Sequence, residues 1–204
     1  MTNKYFMKKT IHFFALSLIT LSFLFSSCSS KTETATATEE ETTDTTATAA
    51  EETTKEEIPS PLKKVSGEIS GVNVNMQYGS PGVKGRQIWG GLEPYNEVWR
   101  TGANEATWIE FDKDVMIAGE KVPAGKYSLF TIPTESEWTV ILNQVWDQWG
   151  AYDYDETKDI IRFNVVPQAT DSTVERLEFS VQDDVTFAWE NVSFSFDVEP
   201  APAG

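Results

Sequence analysis

From about Pro61 onward, apolar side chains recur at every second residue in a series of short segments. A period of two places alternate side chains on opposite faces of a β-strand, so each segment predicts a strand with one buried face. The predicted strands are Val72–Tyr78, Thr107–Phe111, Tyr127–Thr131, Trp138–Leu142, Ile161–Val165, Leu177–Val181, Val185–Trp189 and Val192–Val198. No long stretch of this region has helical periodicity, and the pattern therefore predicts an all-β domain over residues 61–204.

Turn signals separate these strands, spaced as in a meander or Greek key. The clearest are Ala118-Gly119-Glu120-Lys121 and Pro123-Ala124-Gly125-Lys126, because Gly and Pro favour the backbone angles of tight turns. About eight or nine short strands punctuated in this way are typical of an antiparallel β-sandwich of the jelly-roll or Greek-key kind. A domain of this length can bury a substantial core without disulfide bonds.

The first 27 residues have the three parts of a secretory signal peptide, since three lysines precede an apolar run over residues 11–25 and two serines follow it. The run is shorter than the roughly 20 apolar residues of a membrane helix. The segment Leu24-Phe25-Ser26-Ser27-Cys28 resembles the lipobox of bacterial lipoproteins, although Phe25 stands where the pattern has Leu, Val or Ile. We therefore expect lipidation at Cys28 and anchoring to a bacterial envelope membrane, facing the periplasm or the cell surface. An ordinary secretory signal with a coincidental Cys is the alternative.

Residues 28–60 have the composition of a disordered tether. After Cys28 they contain no aromatic residue, one large aliphatic residue (Ile58) and a formal charge of −7. Such a segment cannot bury enough apolar surface to offset the entropy lost on ordering. We interpret it as a solvated spacer between membrane and domain, and the alternative is a binding tail for a basic partner.

The charge and the reactive residues exclude several classes of function. The chain has 16 Lys and Arg against 32 Asp and Glu, which argues against a nucleic-acid partner because phosphates are neutralised by clustered cations. The single histidine and the single cysteine are His12 and Cys28, so the domain has neither. This excludes a Ser-His-Asp or Cys-His catalytic centre and a His- or Cys-ligated zinc site there. No phosphate-binding glycine loop is present, and no cofactor is predicted.

Residues 79–108 form a long irregular segment, rich in Gly and Trp, and long irregular segments within compact domains are usually functional or disordered. The characteristic strings are Pro81–Arg86, Gly91–Tyr95, Val98–Thr107 (VWRTGANEAT), Pro123–Pro133 and Glu137–Ile141. Together they resemble the domain-of-unknown-function 2911 family, found largely in secreted proteins and lipoproteins of the Bacteroidota. The similarity extends over about Ser60 to Val198. It implies an envelope location and supplies no established activity.

The irregular segment carries the first candidate site. Its candidate ligand-binding residues are Lys84, Arg86, Tyr95, Trp99, Arg100 and Asn104. Arginine presents a planar fork of donors that suits a carboxylate or phosphate, so this group could seat an anionic or polyhydroxylated ligand beside Trp99. The alternative is structural: Arg100 pairs with a strand carboxylate such as Glu110, and Gly102 and Asn104 satisfy a tight turn.

A second candidate cluster is formed by Trp146, Trp149 and Tyr152, interleaved with Asp and Gln, which resembles a sugar-stacking surface. The alternative is a loop whose tryptophans cap the open end of the sandwich. Nearby acids, which are Asp153, Asp155, Glu156 and Asp159, could ligate Ca²⁺, but their spacing does not match an EF-hand, and no metal site is predicted.

Two functions remain open. The first is a membrane-tethered binding or structural module for a glycan or an anionic small ligand. The second is a carboxylate-dependent hydrolase of glycans or peptides, which the absence of His and Cys would require to use Asp or Glu. Arginines together in an open groove would favour binding, whereas a deep pocket with two carboxylates, one of raised pKa, would favour the enzyme.

Overall fold

The computed structural model describes residues 59–202, so the predicted signal peptide, Cys28 and nearly all of the predicted tether lie outside the described residues. The described part contains eleven strands: β1 Leu62–Ile69, β2 Val72–Gly79, β3 Trp108–Phe111, β4 Val115–Ile117, β5 Glu120–Val122, β6 Gly125–Ile132, β7 Trp138–Asn143, β8 Asp159–Val165, β9 Gln168–Val181, β10 Val185–Phe196 and β11 Glu199–Pro200. One turn of 3₁₀ helix, Glu156–Lys158, precedes β8. Within 59–202 no helix is long and apolar enough to cross a membrane.

The strands form three antiparallel sheets. The largest has six strands in the order β1-β2-β3-β6-β7-β8, the second pairs β9 with β10, and the third has the order β11-β4-β5. Each strand of the large sheet neighbours the next in chain order, apart from the excursion through the β4–β5 hairpin, so this sheet is a meander. The hairpin turns at Ala118 and Gly119, where the sequence predicted a turn. The predicted all-β antiparallel sandwich is confirmed.

The core lies between the large sheet and the β9–β10 pair, and its residues alternate along the strands. Tyr78 of β2 packs edge-on against Phe179 of β9 with ring centroids 5.1 Å apart, and Trp138 of β7 packs against Phe187 of β10 at 5.8 Å. Trp138 and Trp189 are among the largest fully buried side chains. Aromatic residues that bury this much area dominate the energetics of a core, so these rings hold the two sheets together.

The observed strands differ from the predicted ones in several places: β4, β5 and β11 were not predicted, and β9 begins at Gln168, before the predicted Leu177. The segments Val185–Trp189 and Val192–Val198 belong largely to one strand, β10, whose pairing register shifts on both sides of Glu190, a residue with a φ of 57°. A bulge of this kind inserts residues without ending a strand, so the break in alternation is no boundary. The edge strand β1 was not predicted because, apart from Val65 and Ile69, its interior has few apolar residues.

The outer face of the large sheet carries a second, smaller apolar cluster. Phe130 of β6 and Ile141 of β7 point away from the main core and are fully buried together with Ala106. Val98 and Ala151 pack against them from the two irregular segments of the chain, 79–107 and 144–155. This cluster therefore holds both segments against the same face of the sheet.

Candidate functional site

Trp99, the residue before Arg100, belongs to the core. The backbone N–H of Trp99 donates to the carbonyl of Thr131 at 2.8 Å, and the N–H of Thr131 donates back at 2.9 Å. Trp99 therefore acts as an extra partner of β6, and its indole points inward, where it stacks on Trp189 with centroids 5.8 Å apart. With only 5% of its surface exposed, Trp99 does not offer a free ring face to a ligand.

A tight turn follows Trp99. Thr101 is fully buried in the left-handed region, with a φ of 52°, and its Oγ1 lies 3.1 Å from Oγ1 of Thr131. A Cβ on Gly102 would lie 2.8 Å from Oγ1 of Thr107, so this glycine permits a close approach and does not supply the positive φ. Asn104 does have a positive φ, of 66°. The structural interpretation of Gly102 and Asn104 as turn residues thus has a physical basis.

Arg100 lies between two inward-facing residues, so the alternation directs it to the outer face. Within residues 59–202 the structure gives its guanidinium no hydrogen bond and no ion pair within 4.0 Å, and its Nε is buried without a partner. The alternative partner, Glu110, lies 4.0 Å from the Nζ of Lys126. The Arg100–Glu110 pair is therefore not formed, and the guanidinium has no structural partner of its own.

Glu93 supplies the acidic side of the site. Its backbone is fixed in a compact loop, since its N–H donates to the carbonyl of Ile88 at 3.0 Å and its carbonyl accepts from Gly90 at 2.9 Å. Burial raises the pKa of Glu93 from 4.5 to about 7, against the opposing effects of Arg100 and, more weakly, Arg86. The charge of Arg100 thus acts on the pKa of Glu93, although the two groups form no ion pair within 4.0 Å.

These residues line a cleft of about 250 Å³ on the outer face of the sheet. Its lining consists of Glu93, Pro94, Glu97, Val98, Trp99, Arg100, Ala151 and Tyr152. The cleft joins the two irregular segments, which are also tied by backbone hydrogen bonds of 3.0 Å from Ala106 N–H to Gln148 and from Gly150 N–H to Asn104. Tyr152 is 85% exposed, so one wall is open to solvent.

The other candidates from residues 84–104 lie outside the cleft. Arg86 donates from its guanidinium to the carbonyls of Gly82 and Val83 within its own loop. The side chain of Lys84 is exposed, and the ring of Tyr95 packs close to Gly90. Asn104 donates from its side chain to the carbonyl of Ser60 at 3.4 Å. Arg86 therefore acts on the site only through its charge.

The aromatic cluster at 146–152 is divided between two places. Trp146 covers the ammonium of Lys126 at 4.5 Å, and Trp108 covers the same ammonium at 4.0 Å, on the outer face of the sheet away from the cleft lining. Trp149 is 58% exposed and forms a backbone bridge with Glu105. Tyr152 is thus the one member of this cluster that lines the cleft.

The acids that follow this cluster serve the fold. Asp159 accepts hydrogen bonds of 2.7 Å from both the Tyr154 hydroxyl and the Arg162 Nε, and of 2.8 Å from the Asn143 amide. Asp155 accepts from Thr157 and caps the 3₁₀ turn. In the part of the chain that the structure describes, no group of three or more His, Cys, Asp or Glu residues could hold a metal ion.

Two cleft residues were underused in the sequence interpretation. Glu93 and Glu97 were not named as candidate site residues from the sequence, although both lie in the irregular segment close to Arg100. The sequence feature that could have marked these two acids as site residues is their position between Trp89 and Trp99. What the sequence did not reveal is that Glu93 is partly buried, because burial there depends on how the loop folds over itself.

The comparisons with known proteins identify a family. The model of the family described as "Protein of unknown function (DUF2911)" matches residues 60–198. No curated protein and no solved structure gives a significant match. The match covers more than half of the chain and almost all of the described sandwich.

Proposed function

Because the chain belongs to the DUF2911 family, as its motifs predicted, and this family is described only as one of unknown function, we propose a function from the cleft itself. We propose that the domain is a binding module of the bacterial cell envelope. It is tethered through a lipid on Cys28, and its cleft seats a glycan or small ligand through an anionic group held by Arg100. The observation that carries this proposal is the guanidinium of Arg100 in the cleft lining, whose Nε is buried without a hydrogen-bond partner.

The surrounding string has a structural explanation, and Arg100 does not. Trp99 packs in the core, while Thr101 and Gly102 form the turn. A buried donor without a partner costs roughly 1–3 kcal/mol, so the fold keeps Arg100 at this position against a cost in stability. Arginine also binds a carboxylate or phosphate through two parallel hydrogen bonds, which a lysine cannot do. An uncommitted arginine in a cleft is therefore well suited to an anionic group.

The test is a thermal-shift screen of the mature chain against carboxylates, acidic sugars and inorganic phosphate, since a ligand that binds only the native state raises its stability. Wild type should be stabilised by at least one compound, and Arg100→Met should not. Lys84→Met is the matched control, because it removes a cation from the same segment outside the cleft. Binding that survives Arg100→Met, or a screen without any stabilising compound, would contradict the proposal.

The envelope location has its own test. Several acyl chains hold a protein on a membrane stably, because each buried CH₂ contributes about 0.8 kcal/mol. Cys28→Ala should therefore move the protein from the membrane fraction to the soluble fraction of the cells. Unchanged membrane association of this variant would refute the lipid anchor and leave the cleft proposal intact.

A carboxylate-dependent hydrolase is the second candidate, and one observation favours it. Glu93 and Glu97 line the same cleft, and a carboxyl group whose pKa is raised to about 7 can act as a general acid near neutral pH. The open wall at Tyr152 favours binding over hydrolysis, since catalysis by acids gains from excluding water. If the cleft hydrolyses glycans or peptides, Glu93→Gln should abolish turnover and retain ligand binding.

A further inference from the structure

The cleft combines charges of both signs. Two carboxylates, those of Glu93 and Glu97, share it with the guanidinium of Arg100. A ligand with negative charge alone would meet Arg100 favourably and both carboxylates unfavourably, within a chain whose formal charge is −16. A neutral ligand would leave the guanidinium of Arg100 without a hydrogen-bonded anion. The arrangement best complements a ligand that carries one charge of each sign.

We propose that this ligand is a zwitterion of the size of an amino acid or a dipeptide, with its carboxylate at Arg100 and its ammonium group at Glu93 and Glu97. The inference rests on the proposed function of the cleft as the site for an anionic group. It adds the second charge and the size class of the ligand.

The dimensions of the cleft support a small ligand. Its volume of about 250 Å³ lies below the roughly 300–1,000 Å³ of pockets that enclose drug-sized molecules. Val98 and Ala151 add an apolar part to the lining. A body of one or two residues fits this space, and a side chain can extend past the exposed Tyr152.

Proton exchange on binding distinguishes a zwitterion from a simple anion. Arg100 and Arg86 face Glu93 with positive charge, Glu97 shares its cleft, and burial raises the pKa of Glu93 to about 7. An ammonium group placed beside Glu93 favours the carboxylate, so binding near pH 7 should release a proton. An anion placed there favours the protonated acid, so binding should take up a proton. A zwitterion and a simple anion should therefore change the number of bound protons in opposite directions.

The experiment is isothermal titration calorimetry of the mature chain at pH 7 with the common amino acids and with dialanine of both chiralities. Each probe that binds is compared with its N-acetylated form, which lacks the ammonium group, and with its amide, which lacks the carboxylate. We expect at least tenfold weaker binding when either charge is removed. Titrations in imidazole and in Tris, whose ionisation enthalpies differ and which bring no carboxylate or phosphate to compete for Arg100, should show proton release.

Two variants assign the charges to residues. Glu97 is exposed, so Glu97→Gln should leave the melting temperature unchanged, weaken binding of the zwitterion and leave binding of the N-acetylated form unchanged or tighter. Arg100→Met should abolish binding of the zwitterion and of the N-acetylated form. Lys84→Met, outside the cleft, should behave as wild type.

The outcomes separate this inference from the proposed function. If the N-acetylated form binds as tightly as its parent and both depend on Arg100, or if only simple anions bind, the zwitterion inference is wrong and the proposed anion site stands. Proton uptake on binding would also overturn the zwitterion inference alone. If amino acids bind equally well to Arg100→Met, both proposals fall.

Discussion

The two irregular segments that build the cleft, residues 79–107 and 144–155, are both rich in aromatic residues and place them in opposite environments. In the first, Trp99 is buried against Trp189, and Trp89 packs edge-on against Trp138 with centroids 4.7 Å apart. In the second, Trp149 and Tyr152 are largely exposed. The first segment contributes these two indoles to the core, whereas the second presents Trp149 and Tyr152 to solvent and packs Tyr154 edge-on against Phe130 of the outer cluster.

Backbone pairing explains the difference. Trp99 exchanges two hydrogen bonds with Thr131 of β6, and the pleat of that strand directs its side chain inward. Residues 148–150 instead pair with the other irregular segment, at Ala106 and Asn104, on the outer face of the sheet. The ring of Trp149 belongs to neither apolar cluster. Aromatic density therefore marks both segments, and pairing decides which rings are available to a ligand.

The largest effect that tests this comparison is expected at the buried ring. Trp99→Ala removes a side chain stacked on Trp189 within a close-packed core, and substitutions of this kind cost roughly 3–5 kcal/mol. Urea denaturation followed by circular dichroism measures the loss in the free energy of unfolding. A loss below about 1 kcal/mol, the size of an ordinary surface effect, would show that the first segment does not contribute to the core.

The next effect is the pH dependence that Glu93 imposes on stability. Because its pKa is raised from 4.5 to about 7 in the folded state, the native protein retains a proton that the unfolded chain loses. The free energy of unfolding should therefore fall as pH rises from about 4.5 to about 7 and level off above, by at most about 3 kcal/mol.

Denaturation midpoints measured across this range in wild type and Glu93→Gln give the contribution of Glu93 by difference. The glutamine variant should lose the slope, whereas Glu97→Gln, from the exposed part of the same cleft, should keep it. If all three proteins have the same pH profile of stability, Glu93 is not desolvated and its pKa is not raised.

The fold could be predicted from the sequence because apolar and polar residues alternate along a strand that has one buried face. Most of the strands of the large sheet were located in this way, and the family resemblance agreed with the later match. The strands missed, β1, β4, β5 and β11, are short or lie at an edge, where few alternating apolar residues are required. The bulge at Glu190 broke the alternation of a continuous strand.

The site could be predicted only in part. Nine ligand-binding candidates were named, and Trp99, Arg100 and Tyr152 line the cleft. Sequence order placed Arg86 and Arg100 in one group, but Arg86 bonds to its own loop. The proximity of Tyr152 to Arg100 depends on long-range backbone pairing between two loops. No local pattern encodes that pairing.

Arg100→Met should have a smaller effect on stability than the two changes above, and of the opposite sign. The substitution removes a buried Nε that has no partner and keeps most of the apolar contacts, so stability should be unchanged or rise by up to about 1 kcal/mol. Thermal and urea denaturation measure it without any ligand. A loss of about 3–5 kcal/mol, expected when one partner of a buried ion pair is removed, would show that Arg100 is structural.

The smallest effect is expected at the exposed ring of the second segment. Trp149 is 58% exposed, and its contact with Glu105 is made by the backbone, which Trp149→Ala preserves. Little apolar surface is returned to water, so the free energy of unfolding should change by no more than about 0.5 kcal/mol. Urea denaturation of Trp149→Ala and Trp99→Ala under the same conditions compares the two segments directly, since each variant removes one indole from one segment. Equal losses would mean that aromatic residues hold both segments in the same way, and the distinction between a core segment and a solvent-facing segment would then be wrong.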